Sequence, residues 1–389
     1  MSQLKAHQHK EQPSLFQDIE VKKNEVLFPT DYESVHNRIK TIDASKYAKS
    51  RNFITGAVTY LSPYISRGFI SLTQISEIIM HNKKLYEVEK LMQELAWREY
   101  FQRIWQFYGN GIFNDVKQPQ QTVQHYQIPQ SIINATTTID GIDTGIKKLY
   151  ETGYMHNHIR MYTAMLTCNV AQSHWSLPAK WMYYNLLDGD LASNTLSWQW
   201  VAGSFSSKKY YANQENISRY TGSNQQRGYL AFDYEILTNM PIPTALQETV
   251  SLILKTNLPN TNTVEMDASL PTFIYNSYNI DPLWHKEKTA NRILLLEPSH
   301  FEAYPISEKV LNWIIELATK NISNIKLFVG EFSDLQKIIK NQTSIYFKEH
   351  PTTQHYQGIK ESRDWMFPEV QGNFNSFFAY WKKCEKYLK

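Results

Sequence analysis

Hydrophobic residues recur at intervals of three and four over most of residues 28–222, which is the spacing of amphipathic helices. The clearest run covers 85–105, where aliphatic and aromatic residues alternate with Glu, Gln, Lys and Arg. Two further runs cover 153–174 and roughly 178–187. The pattern therefore predicts a helical region, preceded by a polar segment over 1–27 that we expect to be loosely packed.

The pattern changes in the last hundred residues, where short apolar runs alternate with amphipathic stretches. Strand candidates begin at Ile293, Ile325 and Ser344, and helical stretches over 307–319 and 333–340 separate them. A β-α-β-α-β order is typical of a small parallel sheet covered by helices. Neither GxGxxG nor a P-loop occurs there, so no motif supports a nucleotide role for this part.

Together these patterns define an expected fold class that is mainly α. A helical domain over 28–222 is followed by a connection over 223–287, which is rich in Pro, Asn and Thr and is expected to be irregular with short helices. A small α/β domain of Rossmann-like type is expected over 288–389.

Composition adds one unusual feature to this picture. Of the 389 residues, 42% are hydrophobic and 20% charged, which is ordinary for a globular protein, but the aromatic share is 14%. Aromatic side chains at this density suit stacking on planar ligands, although large helical cores use them too. The net charge is only +3, so a nucleic-acid partner would need a local basic patch.

Cysteine usage and the N-terminus exclude several classes of protein. Cys168 and Cys384 lie far apart, so we expect neither a disulfide framework nor a metal site. The N-terminal segment lacks the apolar stretch of a signal peptide, and no apolar run is long enough to cross a bilayer. We therefore expect a cytoplasmic protein.

Four segments are rich in side chains that could bind a ligand or take part in catalysis. They are 47–71, 94–101, 152–161 and 187–200. In the second segment Glu94, Trp97 and Arg98 fall on one helical face, with Phe101 beside them. The carboxylate and the guanidinium form either an ordinary surface pair or a buried pair that holds a ligand, and spacing alone leaves both interpretations open.

The third and fourth segments also allow two interpretations. Asn157, Arg160 and Met161 share one helical face. Asp188 and Asp190 follow an apolar helix, where they could cap the next helix, orient a ligand or pair with Arg160.

Two indoles and two histidines complete the candidate set. Trp198 and Trp200 point in divergent directions on a helix, and each could belong to the core or to a site. His156 and His158 fit structural or solvated roles, since a lone helical histidine is usually one of these.

Taken in order, the four segments resemble the DNA photolyase and cryptochrome family over roughly 47–216. The runs Tyr154-Met-His-Asn-x-x-Arg-Met161 and Asp188-Gly-Asp-Leu-Ala-x-Asn-x-x-x-Trp-Gln-Trp200 are similar to that family's flavin-site signatures and have the expected separation. The resemblance implies an all-helical domain that holds FAD in a folded-back shape.

The resemblance also implies how individual residues hold FAD. Arg160 and Asp188 would form an ion pair beside the flavin ring, and Asn194 would face its N5 atom. The implied FAD-binding residues are Tyr47, Thr59, Leu61, Ser62, Arg98, Phe101, Tyr154, Asn157, Arg160, Asp188, Asp190, Asn194 and Trp198.

The implied activity is light-driven repair of cyclobutane pyrimidine dimers in DNA, in which reduced FAD passes an electron to a lesion flipped out of the duplex. Trp97 and Trp200 would stack on the lesion, Met161 would pack on it, and Glu94 would bind a base edge. Including the two amides, the implied catalytic residues are Glu94, Trp97, Asn157, Met161, Asn194 and Trp200. Enzymes of the family that repair (6-4) photoproducts carry histidines at the positions of Asn157 and Met161, so cyclobutane dimers are the expected substrate.

An electron relay to the flavin is implied as well. Trp198 and Trp175 match its first two members, and Tyr126 is nearest to the third position. Arg51 and the two lysines 208–209 fit contacts with DNA phosphates, although charged loop residues are usually only solvated.

Two rival functions and one architectural departure remain. The chain could be a cryptochrome-like photosensor that signals to a protein partner, or it could repair single-stranded DNA or another photoproduct. Family members normally begin with an α/β antenna domain, whereas this chain carries its α/β region at the C-terminal end. We expect that region to take the structural place of the antenna domain. Whether the chain binds a second chromophore is left open.

Overall fold

The computed structural model describes residues 28–339 and 344–388, and the predicted polar segment 1–27 lies outside the described residues. Helices dominate the chain as far as Asn239. They are α1 (Tyr32–Lys40), α2 (Ala44–Ser50), α3 (Ser62–Ser66), α4 (Leu72–Met80), α5 (Leu85–Tyr108), α6 (Gln130–Asn134), α7 (Asp140–Thr152), α8 (Asn157–Met165), α9 (Ser176–Asn185), α10 (Leu191–Ala202), α11 (Gln214–Thr221) and α12 (Tyr234–Asn239). Two short strands, β1 (Ile128–Pro129) and β2 (Thr249–Val250), pair antiparallel across this region.

The helix predicted from the longest periodic run is confirmed, because α5 begins at Leu85 and continues to Tyr108. The helix predicted over 153–174 begins later than expected. Gly153 adopts a φ of 72° and ends α7, so the next helix begins only at Asn157. Beyond Met165 this helix continues as a π turn, Leu166–Val170.

The C-terminal part contains a five-stranded sheet whose strands are all parallel, as the alternation of strands and helices predicts. Its strands, in the order β5-β4-β3-β6-β7, are β3 (Thr272–Tyr275), β4 (Asn291–Leu296), β5 (Ile325–Val329), β6 (Ile345–Lys348) and β7 (Ile359–Glu361). The accompanying helices are α13 (Pro298–Ala303), α14 (Glu308–Asn321), α15 (Phe332–Ile338) and α16 (Phe377–Cys384).

The central strand corrects the sequence-based layout. Residues Thr272–Tyr275 lie in the stretch 223–287 that the sequence predicts as irregular, yet they form β3 in the middle of the sheet. All four residues are buried, and a run this short shows neither alternation nor enough length to stand out. The edge strand β7 was missed for the opposite reason, since its residues are largely exposed.

Alternation along the strands divides the hydrophobic core into two layers. Phe273 and Leu294 belong to a cluster that also contains helices α1 to α5 and α16. Their neighbours Ile274 and Ile293 face a second cluster under α15. Because successive side chains of a strand point to opposite faces, both sides of the sheet are covered, and one continuous core joins it to the first helices.

Aromatic rings and two histidines fill the junction between the sheet and the helices. Tyr278 follows β3, and its hydroxyl lies 2.6 Å from that of Tyr183 on α9. His350, which follows β6, stacks on the Tyr278 ring at 4.6 Å, and His300 on α13 meets the same ring edge-on at 5.8 Å. Burial lowers the pKa of both histidines, that of His300 to about 4. The junction therefore holds both rings in their neutral form.

Charged residues surround this junction on several sides. The guanidinium of Arg67, which is fully buried, donates to the carbonyl oxygens of Leu187 and Ser277 and so joins the two regions. Arg67 and His355 face His300, and Arg363 faces His350. Since these neighbours are cationic or can become so, added protons on either histidine would be repelled.

Among residues 28–339 and 344–388, no helix has the length and apolar character needed to span a membrane.

The two buried histidines of the junction should make the fold sensitive to acid. An unfolded chain protonates His300 near its ordinary pKa of 6.5, whereas the folded chain does so near 4, so the unfolded state binds more protons as pH falls below 6.5. Stability should therefore fall on acidification, by about 2 kcal/mol from His300 alone between about pH 8 and about pH 5. Urea unfolding at the two pH values measures this loss.

Variants separate this effect from general acid denaturation. His300→Gln and His350→Gln should each reduce the loss of stability, whereas His81→Gln, at an exposed position, should leave it unchanged. Equal pH dependence in all three variants would contradict the assignment.

Candidate functional site

A cavity of about 700 Å³ opens between α5, α8 and α10. Most residues that the sequence singled out line this one cavity. They are Tyr47, Thr59, Ser62, Glu94, Trp97, Arg98, Phe101, Tyr154, Asn157, Arg160, Met161, Asp188, Asp190, Asn194, Trp198 and Trp200. Four segments that are distant in sequence therefore meet at one site, and its volume lies in the range of small-molecule and cofactor pockets.

Three of the predicted residues lie elsewhere. Leu61 is buried in the core and does not line the cavity, because it precedes α3 with its side chain packed inward. Trp175 is buried outside the cavity, and Tyr126 is exposed at the surface. Trp175 and Tyr126, which the sequence predicts as members of an electron relay, thus lie outside the cavity.

Asp190 fixes the start of α10 against α5. Its Oδ1 accepts from the backbone N–H of Ser193 at 2.7 Å, which caps the helix. Its Oδ2 accepts from the Gln102 amide at 2.6 Å and lies 3.4 Å from Nη2 of Arg98. Of the alternatives that the sequence left open for Asp190, helix capping occurs, but its ion pair is with Arg98 and not with Arg160.

Arg160 and Asp188 form a buried ion pair on the cavity wall. Nη2 of Arg160 lies 2.8 Å and 2.9 Å from the two carboxylate oxygens, and the Asp188 side chain is only 4% exposed. The Nε–H of Arg160 donates to the Met155 carbonyl oxygen, and its guanidinium lies 5.6 Å from the Tyr154 ring centre. The predicted pair is thus present and held in one orientation.

Asn194 presents an acceptor to the cavity. Its Nδ2 donates to the carbonyl oxygen of Ala179 at 2.9 Å, which fixes the amide. Within the described part of the chain no group donates to its Oδ1, so this oxygen can accept a hydrogen bond from a ligand N–H.

Glu94 is not a free carboxylate. It lies 2.9 Å from the Lys90 ammonium and 3.4 Å from Nε of Arg51, with a third of its side chain exposed. The sequence predicted a Glu–Arg pair within α5, between Glu94 and Arg98, but Arg98 pairs with Asp190 instead. The partners of Glu94 are Lys90 on the same helix and Arg51 from the segment after α2.

Trp97 is stacked from one side by the C-terminal helix. Its ring lies 3.9 Å from that of Phe377 on α16, with 10° between the planes. Phe377 is buried, whereas the next residue, Phe378, is 68% exposed. The indole therefore keeps a fixed plane on the cavity wall.

Trp198 and Trp200 lie at different depths. Trp198 is 2% exposed and Trp200 is 38% exposed. The ring of Trp200 lies 5.9 Å from that of Tyr210 at the cavity mouth. One cavity indole is thus buried, and the other is partly exposed.

The histidines of the third segment line the cavity and also make contacts within the protein. Nδ1 of His156 accepts from the backbone N–H of His158, and burial, together with the charges of His158 and Arg160, lowers the pKa of His156 to about 4. His158 contacts the carbonyl oxygen of Asn52 at 2.9 Å and stacks on the Tyr162 ring. Burial lowers the pKa of His158 also, so both rings are neutral.

Sequence reasoning missed several lining residues, including Ser193, Tyr210, Asn216 and Tyr220. Ser193 lies one residue before Asn194 on the first turn of α10, so spacing could have indicated it. The others come from α11 and the loop before it, where no motif marks them.

Comparison with known proteins identifies this part of the chain. A profile of the FAD binding domain of DNA photolyase matches residues 91–230. Over this segment the chain is similar to photolyases and cryptochromes. The cofactor of the domain is FAD.

Relatives with names extend the comparison. The deoxyribodipyrimidine photo-lyase of Buchnera aphidicola is 27% identical over 192 residues, which cover 46% of this chain and 40% of that protein. The cryptochrome DASH of Danio rerio is 31% identical over 172 residues, covering 40% of this chain and 32% of that protein. The chain thus matches well under two thirds of the length of these relatives.

A solved structure is similar as well. The cryptochrome of Synechocystis sp. PCC6803 aligns with a TM-score of 0.43 and 24% sequence identity, covering 55% of this chain and 47% of that chain.

The residues present fit a flavin. Burial raises the pKa of the Tyr47, Tyr60 and Tyr154 hydroxyls, so these rings are neutral surfaces for a planar ligand. The Oγ of Ser193 is buried beside the cavity without a partner among the described residues, and Oδ1 of Asn194 is a free acceptor. Hydroxyl and amide groups of this kind match the polar edge of a flavin ring.

Replacing Arg160 by Ala should be severe, because the carboxylate of Asp188 would stay buried without its partner. We expect a loss of about 3–5 kcal/mol in the free energy of unfolding, together with a lower flavin content in purified protein. Urea unfolding and the visible absorbance per protein chain measure the two effects. The exposed pair formed by Lys337 and Asp334 provides the control: Lys337→Ala should cost less than about 1 kcal/mol. Similar losses in both variants would contradict the importance of burial.

Proposed function

We propose that the protein is a light-driven, FAD-dependent enzyme that repairs cyclobutane pyrimidine dimers in DNA. One observation carries the proposal: the residues expected to read the lesion, Glu94, Trp97, Met161 and Trp200, line the same cavity as those expected to hold the flavin. A photosensor that signals to a protein partner has no need of a wall that recognises a base.

The proposed chemistry needs the cofactor and the lesion in contact. Bound FAD in its reduced form supplies one electron when it absorbs light, and the protein supplies position and electrostatics. Asn194 accepts a hydrogen bond from the protonated flavin through Oδ1, since its amide nitrogen is already bound to Ala179. The Arg160–Asp188 pair orients the ring edge without adding net charge to the cavity.

The lesion must leave the duplex to reach this cavity. Trp200 is half-exposed at the mouth, and Trp97 lies deeper with its plane fixed by Phe377. Two indoles at different depths can stack on two joined pyrimidines, and each such stack is worth about 1–3 kcal/mol. Glu94 accepts from a base N–H, while its ion pairs with Arg51 and Lys90 hold its carboxylate in place.

Of the basic residues expected to meet DNA phosphates, only Lys208 is both exposed and uncommitted within the described part of the chain. Arg51 pairs with Glu94, and Lys209 donates to the carbonyl oxygen of Gln121. Affinity for undamaged DNA should therefore be weak.

The relatives named cryptochrome DASH favour a second candidate, a blue-light sensor built on the same FAD-binding domain. A repair assay separates the two. Chemically reduced protein is mixed with an oligonucleotide that contains one cyclobutane thymine dimer, in blue light and in darkness. Return of the ultraviolet absorbance of thymine only in light would establish repair. Bound FAD with no affinity for the lesion would favour the sensor.

Trp200→Ala should weaken binding of the dimer-containing oligonucleotide roughly 10- to 100-fold, because one stacking surface is lost. The flavin should stay bound, since the buried Trp198 and the Arg160–Asp188 pair are untouched. Fluorescence anisotropy measures affinity, and visible absorbance measures flavin. Tyr86→Ala, at an exposed ring of α5 outside the cavity, is the matched control. Loss of flavin from the Trp200 variant would show that this indole belongs to the cofactor site.

The C-terminal helix should contribute to lesion recognition through Trp97. Phe377→Leu keeps an apolar side chain in place but removes the ring stacked on Trp97, so affinity for the lesion should fall roughly 2- to 10-fold. Phe378→Leu, on the exposed side of the same helix, should bind as the unaltered protein does. An equal effect of the two changes on the ratio of damaged to undamaged DNA binding would refute the positioning role.

A further inference from the structure

The indole of Trp175 is hydrogen-bonded to a carboxylate. Its Nε1–H donates to Oδ1 of Asp115 at 2.7 Å, and Trp175 is 3% exposed. The other oxygen of Asp115 accepts from the backbone N–H of Gln120 at 2.9 Å, so the carboxylate has a fixed position. Gln120 in turn accepts from the backbone N–H of Trp175 at 2.9 Å. An indole N–H needs only a neutral acceptor, and here it has an anion.

An aromatic contact leads from this indole to the surface. The ring of His174 lies 5.5 Å from that of Trp175 and 4.7 Å from that of Tyr126, on which it stacks at 27°. Tyr126 is 67% exposed. Nδ1 of His174 accepts from the backbone N–H of Ser176, which leaves the ring proton on Nε2, 3.9 Å from Oδ1 of Asp115.

On its inner side Trp175 shares a buried hydrophobic cluster with Trp198, which lines the cavity. Trp198 thus lies at the cavity wall, Trp175 in the interior and Tyr126 at the surface. Oxidation of a buried indole leaves a positive charge, and a fixed anion beside it stabilises that charge because the low dielectric screens it poorly.

We propose that Asp115 is a positioning residue for electron supply to the flavin, whose carboxylate stabilises the oxidised indole of Trp175 while Tyr126 delivers the replacement electron. The proposal rests on the proposed function, since it assumes that the cavity holds a photoexcited flavin. It adds a charged group to the three rings, and Asp115 lies outside the motifs that indicated them.

The electrons and protons balance as follows. Trp198 gives one electron to the flavin, and Trp175 gives one to Trp198. The positive charge now lies on Trp175, whose Nε1 proton is shared with Asp115. Tyr126 returns one electron to Trp175, the shared proton settles back on Nε1, and the phenolic proton of Tyr126 passes to water. A thiol in solution then gives a hydrogen atom to the tyrosyl radical and becomes a thiyl radical. Two electrons passed in this way leave two thiyl radicals, which combine to a disulfide.

Asp115→Asn is the decisive variant, because the amide keeps an acceptor for the indole N–H but loses the charge. If the carboxylate acts only as a structural acceptor, this variant should behave as the unaltered protein does. If its charge matters, photoreduction of oxidised flavin by a thiol under blue light should slow roughly tenfold or more. Tyr126→Phe should slow the same reaction, because the phenylalanine ring is much harder to oxidise.

A matched control lies on the same helix. Trp181 on α9 is also buried, but its Nε1–H donates to the neutral hydroxyl of Tyr150 at 3.1 Å. Trp181→Phe should photoreduce its flavin at the unaltered rate, whereas Trp175→Phe should not. Visible absorbance under constant illumination follows the reaction in the purified holoprotein.

A second measurement needs no photochemistry. In ¹⁵N-labelled holoprotein kept in the dark, the indole N–H resonance of Trp175, assigned by its loss in Trp175→Phe, should move in Asp115→Asn as the charge beside it is removed. An unmoved resonance would show that the hydrogen bond is not formed, and an unaltered photoreduction rate in Asp115→Asn would overturn the proposal.

A repair assay distinguishes the proposed role of Asp115 from the proposed repair function on which it rests. Protein reduced chemically with dithionite bypasses the path, so Asp115→Asn should then repair a dimer as the unaltered protein does. Absence of repair in both proteins, with slow photoreduction in the variant, would overturn the proposed function but leave the role of Asp115 standing. Absence of photoreduction in the unaltered protein would overturn the role of Asp115.

Discussion

The carboxylate of Asp190 is the buried charge on which the site depends. It caps α10 through Ser193, accepts from Gln102 and lies against Arg98, and only 4% of it is exposed. These contacts fix α10, which carries Asn194 and two of the three cavity indoles, relative to α5, which carries the third. A buried carboxylate is costly unless each oxygen has its donors, so the two helices have one favourable arrangement.

The same network extends to the sheet. Oε1 of Gln102 accepts from Arg363, which follows β7, and the buried carboxylate of Glu99 on α5 accepts from the backbone N–H groups of Met366 and Phe367. The C-terminal segment thereby holds α16 against α5 and places Phe377 behind Trp97. The cavity wall thus includes support from outside residues 91–230, the segment that matches the family profile.

The pattern of hydrophobic residues correctly predicted those helices and strands that are determined by local sequence. The periodicity of α5 and the alternation of strands and helices after residue 288 gave correct elements, because one buried face repeats along each of them. Strand β3 was missed because its four residues are buried on both faces. The partner of Glu94 was also missed, since a helical spacing that favours Arg98 says nothing of Arg51 from another segment. Motif order found the cavity residues, but not contacts such as Phe377 that depend on the whole fold.

Each arginine that lines the cavity among the described residues is paired with a carboxylate. Arg51 faces Glu94, and the remaining two arginines, 98 and 160, face the aspartates 190 and 188. The two histidines beside them are neutral because burial lowers their pKa values. Among the described lining residues, therefore, no lone cation would trap an electron placed on a bound base. In the proposed reaction a negative charge passes from cofactor to substrate and back, and a wall whose arginines are already paired and fixed would need little reorganisation to let it pass.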